Sequence, residues 1–217
     1  MSTNKNFKVG WDVASLTMVA GTTLISWKIL PSLPPVIATH FDIHGNPNGF
    51  SSREFGAFLL PILSLVVWAI LRFAMLAAPK AWRAKAANAP MAAMGTLTVA
   101  FLSGLHFAVL NAALNGGSGL GRELAVLLGG MWIALGILLP RMRRNPLIGI
   151  RTAWTLSSDE NWARTHRVAS YTFLVGGVLC LGGGLLGTTT AIAIAIVTVI
   201  VSALIPTIYS WSIARHT

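Results

Sequence analysis

The sequence predicts an all-α fold, a polytopic integral membrane protein built as a six-helix transmembrane bundle. Of its 217 residues, 54% are hydrophobic and only 10% charged, whereas soluble domains carry about 25% charged residues. The mean hydropathy is +0.70. The apolar residues also gather in six blocks, each near the roughly 20 residues that a helix rising ~1.5 Å per residue needs to cross a bilayer.

The blocks run about Trp11–Leu30, Phe55–Ala78, Pro90–Leu114, Arg122–Leu139, Val168–Leu186 and Thr190–Ile213. The first follows Lys5 and Lys8 as a secretory leader would. It runs on into Trp27, Lys28 and a Pro-rich segment without a small-residue cleavage pattern, so it is expected to be a retained span. Only Gly187-Thr188-Thr189 separates the last two blocks, which predicts a tight antiparallel hairpin. Because lipid gives helices no hydrophobic reason to associate, contact should run through small residues. Ala100, Gly104, Ala108 and Ala112 form such a stripe in the third block, and Gly183 and Gly187 repeat its spacing in the fifth. Cys180, the single cysteine, excludes an intrachain disulfide and a cysteine metal cluster, and reads as a packing residue.

The net charge of +10 sits in short loops beside apolar blocks, which points to bilayer orientation and not to nucleic acid. One side collects Lys5, Lys8, Lys80, Arg83, Lys85, Arg141, Arg143, Arg144, Arg151, Arg164, Arg167 and Arg215. The other has Arg53, Arg122 and Lys28. Both termini are therefore expected in the cytoplasm, with the loop around His40 outside and Arg72 snorkelling to the inner surface. The chain divides into residues 1–89, with two spans and the outer loop, and 90–217, with four spans and a polar connector over 141–167.

That connector, RMRRNPLIGIRTAWTLSSDENWARTHR, is the densest run of cations and the main candidate site. Asn145-Pro146 ends the preceding helix, and Gly149 permits a bend. Ser157-Ser158-Asp159-Glu160 reads as a capping box starting a helix near Ser157, with Glu160 reaching back to the cap amide and pairing with Arg164 at i,i+4. The same spacing places Trp162 and His166 on one face, expected at the membrane surface. Arg141, Arg143 and Arg144 are what orientation and anionic lipid require. Arg151 is expected to clamp Asp159 or Glu160, with Trp154 and Trp162 buried in the resulting contact. His166 would then change its protonation if the loop moved.

The string from Asn145 through Pro146, Gly149, Arg151, Trp154 and Thr155 to Leu156, followed by Trp162, Thr165 and His166, resembles the signature of the SdpI family of bacterial membrane proteins. Leu33-Pro34, Thr39-His40-Phe41, Gly45 and Gly49-Phe50 resemble the domain of unknown function that often precedes it. The resemblance implies a receptor-like immunity protein of the bacterial cytoplasmic (inner) membrane. Such a protein protects against a secreted antimicrobial peptide toxin outside and holds a DNA-binding repressor at the membrane inside. On this reading Asn145, Gly149, Arg151, Trp154, Thr155, Trp162, Thr165 and His166 form the partner-binding loop, and His40, Phe41 and Asp42 contact the external ligand.

Two further features have plainer readings. His40, Asp42 and His44 at strand spacing offer N, O and N atoms to zinc, but no fourth ligand follows, so no metal is expected. The favoured alternative is a surface loop turned by Asn46-Pro47-Asn48-Gly49. His106, central in the third block, is either a neutral histidine bonded to a neighbouring span or part of a polar seam with Ser103 and Asn111. The seam motivates the rival function, a small transporter or channel for an ion, peptide or lipid. No nucleophile elbow, HExxH motif, phosphate loop or carboxylate pair is present, so neither an enzyme nor a cofactor is expected.

Overall fold

The computed structural model describes residues 3–42, 45–77, 89–116, 120–187 and 190–215. Among them are seven helices and one hairpin. The order is α1 (Thr3–Ile29), β1 (Val36–Phe41), β2 (Pro47–Ser52), α2 (Arg53–Ala77), α3 (Ala89–Asn115), α4 (Gly121–Leu138), the short α5 (Ala153–Ser157), α6 (Asp159–Leu185) and α7 (Ala191–Ala214). Six of these helices are long and apolar enough to cross a membrane. The chain is a multi-pass membrane protein, and helices serve because lipid offers no partner to an unpaired peptide group.

Helix α6 begins at Asp159, well before the apolar block at Val168, and its 27 residues span ~40 Å against a hydrocarbon core of ~30 Å. Its first two turns can therefore stand outside lipid. This extension supplies the connector with a rigid wall.

One group of three helices is α1, α2 and α3. Pro61 within α2 lacks an N–H, which frees the carbonyl of Ala57 four residues back. Ser26 of α1 donates to that carbonyl at 2.7 Å, and His106 of α3 lies 2.9 Å from the same hydroxyl through Nε2. The hydroxyl's one proton is directed at Ala57, so the imidazole Nε2–H donates to Ser26 Oγ. Towards the other end, Ser15 Oγ lies 2.8 Å from Thr96 Oγ1. Arg72 did not need to reach the surface alone: its Nε lies 3.0 Å from Asp12 Oδ2, and Trp68 Nε1 donates to the same carboxylate at 3.2 Å.

The other group is α4, α6 and α7, and α4 and α6 touch backbone to backbone. A Cβ on Gly129 would lie 2.6 Å from Leu181 N, and one on Gly177 would lie 2.8 Å from Gly129 O. Gly136 and Gly184, seven residues on in each helix, continue the seam against Leu174 and Val126. The stripe expected at Gly183 and Gly187 is thus replaced by one through Gly177 and Gly184. Gly187 has φ 65°, meets nothing within 4 Å and serves the turn after α6. Gly104 does pack, against Leu127 of α4, and joins the two groups.

At one end of the bundle the chain between α1 and α2 forms the antiparallel hairpin β1–β2. Its turn runs from Asp42 to Asn46, closed by Asp42 N to Asn46 O at 2.8 Å and Asn46 N to Asp42 Oδ1 at 2.9 Å. The expected turn at Asn46–Gly49 falls instead at the start of β2, where Gly49 leaves room for the crossing His40 side chain.

Candidate functional site

The connector between α4 and α6 lies at the opposite end and is held by its own polar groups. Asn145 is fully buried and uses every hydrogen-bonding position of its amide. Its Oδ1 accepts from Leu147 N and Ile148 N, both at 2.9 Å, while Nδ2 donates to Arg143 O at 3.0 Å and Ile148 O at 3.1 Å. The side chain thereby replaces the ladder that Pro146 interrupts.

Downstream, Thr152 and Thr155 form a capping box around the short α5. Thr152 Oγ1 accepts from Thr155 N at 3.1 Å, and Thr155 Oγ1 accepts from Thr152 N at 2.9 Å. Thr155, completely buried, also donates to Ile150 O at 2.8 Å. The expected box at Ser157–Glu160 is only half made: Ser158 accepts from Asn161 N at 3.2 Å, while Glu160 points along the helix to Arg164 at 3.4 Å.

Trp162 and His166 share one face of α6, but that face lies beneath the connector and not at the lipid surface. Both are buried, and their rings stack at 4.0 Å. Trp162 Nε1 donates to Met142 O at 2.9 Å. His166 Nδ1–H donates to Trp162 O at 2.9 Å, and its Nε2 accepts from Ile150 N at 3.2 Å. Accepting at one nitrogen and donating at the other fixes a neutral imidazole. Leu147, Ile148, Ile150 and Leu156 close over Trp162 together with Met94 of α3, so the connector rests on both helix groups.

A second brace reaches α7. Asn161 Nδ2 donates to Ser210 O at 2.9 Å, Thr165 Oγ1 donates to Asn161 Oδ1 at 3.0 Å, and Thr152 Oγ1 lies 3.1 Å from Ser210 Oγ. Thr152, Asn161 and Ser210 were not singled out in the sequence. The first two carried a signal there, as a Thr-x-x-Thr box and as the i,i+4 partner of Thr165.

The two remaining motif residues behave otherwise. Arg151 is exposed and makes no ion pair among the described residues. The clamp expected of it belongs to Arg144, whose Nε lies 2.6 Å from Asp159 Oδ1 and whose guanidinium donates to Leu156 O at 2.8 Å. Arg144 thus ties the end of α5 to the first turn of α6, while Arg151 stays exposed. Trp154 is 37% exposed and is not buried as expected. It borders an open cleft of about 190 Å³ with Glu160, Arg164 and Ile213.

At the hairpin end, His40 Nδ1 pairs with Asn48 Oδ1 and the Asp42 carboxylate closes the turn. Phe41 and Asp42 line a cavity between the hairpin and the helix ends. His44 lies outside the described residues. His106 is bonded to Ser26 of a neighbouring span, the first of its two expected readings, and not to a seam; Asn111 pairs with Asn115 at 2.8 Å.

No curated protein and no solved structure matches the chain. Residues 141–210 match the SdpI/YfhL protein family, and residues 17–65 match a domain of unknown function, DUF1648. The first match opens on the connector and closes on Ser210, the residue that completes its brace. This multi-pass membrane protein is thus similar to the SdpI/YfhL family over the connector, α6 and most of α7, and to DUF1648 over the second half of α1, the hairpin and the start of α2.

Proposed function

We propose that the protein is a non-enzymatic immunity receptor of the bacterial cytoplasmic membrane. In this reading both termini and the connector face the cytoplasm, and the hairpin faces outward. The protein protects its cell against a secreted antimicrobial peptide and captures a DNA-binding repressor at the connector. The division of labour within the motif carries the reading: Asn145, Gly149, Thr155, Trp162, Thr165 and His166 hold the connector together, which leaves Arg151 and Trp154 on its open surface. An exposed tryptophan beside an arginine, on a rigid support, is the kind of anchor pair that dominates protein interfaces. The transporter reading rested on His106, Asn111 and the glycine-rich fifth span, and it has less support because the Nε2 of His106 joins three helices.

Two measurements test it together. Cells lacking the gene should become sensitive to an envelope-active secreted peptide and regain resistance with the full chain. A DNA-binding protein should co-purify with membranes holding the unmodified chain and be lost with Arg151→Ala or Trp154→Ala, both of which should still insert. Equal sensitivity with and without the gene, together with unchanged co-purification in the two variants, contradicts the proposal.

A further inference from the structure

We infer that the cavity roofed by the hairpin binds the apolar anchor of a cationic amphipathic peptide lying in the external interface of the bilayer. The inference rests on the outward placement of the hairpin proposed above, and it supplies the ligand chemistry that reading lacks.

The cavity encloses about 360 Å³ and is walled by Phe41 of the hairpin, Leu105 of α3, Leu124 of α4, and Ile192 and Ile196 of α7. A smaller hollow of about 110 Å³ continues it past Phe41 and Leu105 towards α2. The roof is seated firmly. Gly45 at the turn, with φ 83°, approaches so closely that a Cβ there would lie 3.0 Å from Gly121 N and 3.2 Å from Ile192 Cδ1. The space is therefore built by four elements: the hairpin, α3, α4 and α7.

Size, depth and charge narrow the occupant. Binding pockets span about 300–1,000 Å³, so this one has room for an aromatic side chain together with a branched neighbour on the same apolar face. Leu124 and Ile192 lie within four residues of their helix starts, and Leu105 lies ten residues before the end of α3. At ~1.5 Å per residue these walls lie roughly 2 to 15 Å below the helix ends. An amphipathic helix in the interface buries its apolar face to ~5–10 Å, which is the same depth. Ile196, 43% exposed, leaves the wall open sideways to a group arriving from the interface. Asp42 is the one acid in the lining and places a negative charge at the roof, matched by a lysine or arginine next to the anchor. The occupant would also press on Ile192 and Ile196 of α7, the helix whose far end bonds the connector through Ser210.

The test uses the full chain in phosphatidylethanolamine–phosphatidylglycerol nanodiscs. The probe is a lysine–leucine amphipathic peptide with one benzoylphenylalanine on its apolar face. Photolabel should map to Leu105, Leu124 or Ile196. It should fall roughly tenfold, about 1.4 kcal/mol of lost affinity, in Leu124→Trp and in Ile196→Trp, which fill the cavity from opposite walls. Thermal unfolding of both variants checks that they remain folded. A phosphatidylcholine with a photoreactive acyl chain is run in parallel. Label confined to lipid-facing positions such as Ile62 and Ile200, or unchanged in the folded variants, overturns the inference. So does equal labelling of the cavity by the lipid, which makes it a lipid seat. Cavity labelling without protection of cells would retain the site and contradict the immunity reading; protection without cavity labelling would do the reverse.

Discussion

The indole of Trp162 stacks on the imidazole of His166 with ring centroids 4.0 Å apart and planes 19° from parallel. Gly149 is pressed against both: with φ 122°, a Cβ there would stand 2.5 Å from His166 Nε2 and 3.1 Å from the indole edge. Gly149→Ala meets backbone strain and a clash at once, each worth about 1–3 kcal/mol. Denaturant unfolding in detergent should show a loss of about 3 kcal/mol or more. A variant as stable as the parent would mean that the connector does not press on α6.

Asn145 makes four hydrogen bonds from a fully buried amide. Removing it orphans two amides and two carbonyls, so Asn145→Ala should lose about 2–4 kcal/mol. Asn145→Asp keeps the accepting oxygen but sets a second oxygen against Arg143 O and Ile148 O. It should therefore also destabilise, and should not rescue. Restoration of the midpoint by aspartate would show that only the acceptor matters.

Arg144 and Arg151 should part company. Arg144→Ala loses a charged donor to Leu156 O and an ion pair to Asp159, itself 73% exposed. Since exposed pairs contribute little, the cost should come mainly from the hydrogen bond, about 1–2 kcal/mol. Arg151→Ala should leave the unfolding midpoint within about 0.5 kcal/mol of the parent, as surface changes usually do. The reverse ranking would restore Arg151 as the clamp.

The α4–α6 seam gives a paired comparison. Gly177→Ala places a methyl against Gly129 O and Ile133, and overpacking of this kind costs about 1–3 kcal/mol. Gly182→Ala, on the same helix with nothing within 4 Å, should be neutral or gain up to about 1 kcal/mol of helix propensity. Equal effects would show that the helices do not approach as closely as described.

The six spans were legible because lipid demands long apolar runs. Apolar runs alone do not give the helix ends, because a run ends where lipid ends and not where the helix does. The start of α6 at Asp159, nine residues before its apolar block, was legible instead from the Ser-Ser-Asp-Glu cap, which placed it near Ser157. The motif's inward residues could be picked out by type and order, yet their partners could not. Nothing in one dimension shows that Arg144 and not Arg151 reaches Asp159 and Leu156 O, or that Ser210 closes the brace from 49 residues beyond Asn161. The glycine seam escaped because its period is seven on each of two helices, while a four-residue stripe drew the eye. The hairpin turn slipped because Asp42 and Gly45 compete with Asn46-Pro47-Asn48-Gly49 for the same role, and a bulge at His40 settles it.

The central claim is that the connector is an ordered support built by its own residues, and amide hydrogen exchange of the full chain in nanodiscs tests it most directly. Leu147, Ile148, Ile150 and Thr155 donate their amides to Asn145, His166 and Thr152. These four should exchange about as slowly as the first turns of α6 and should speed up together in Asn145→Ala. Exchange at the rate of an unstructured peptide, in the parent as in the variant, would contradict the account.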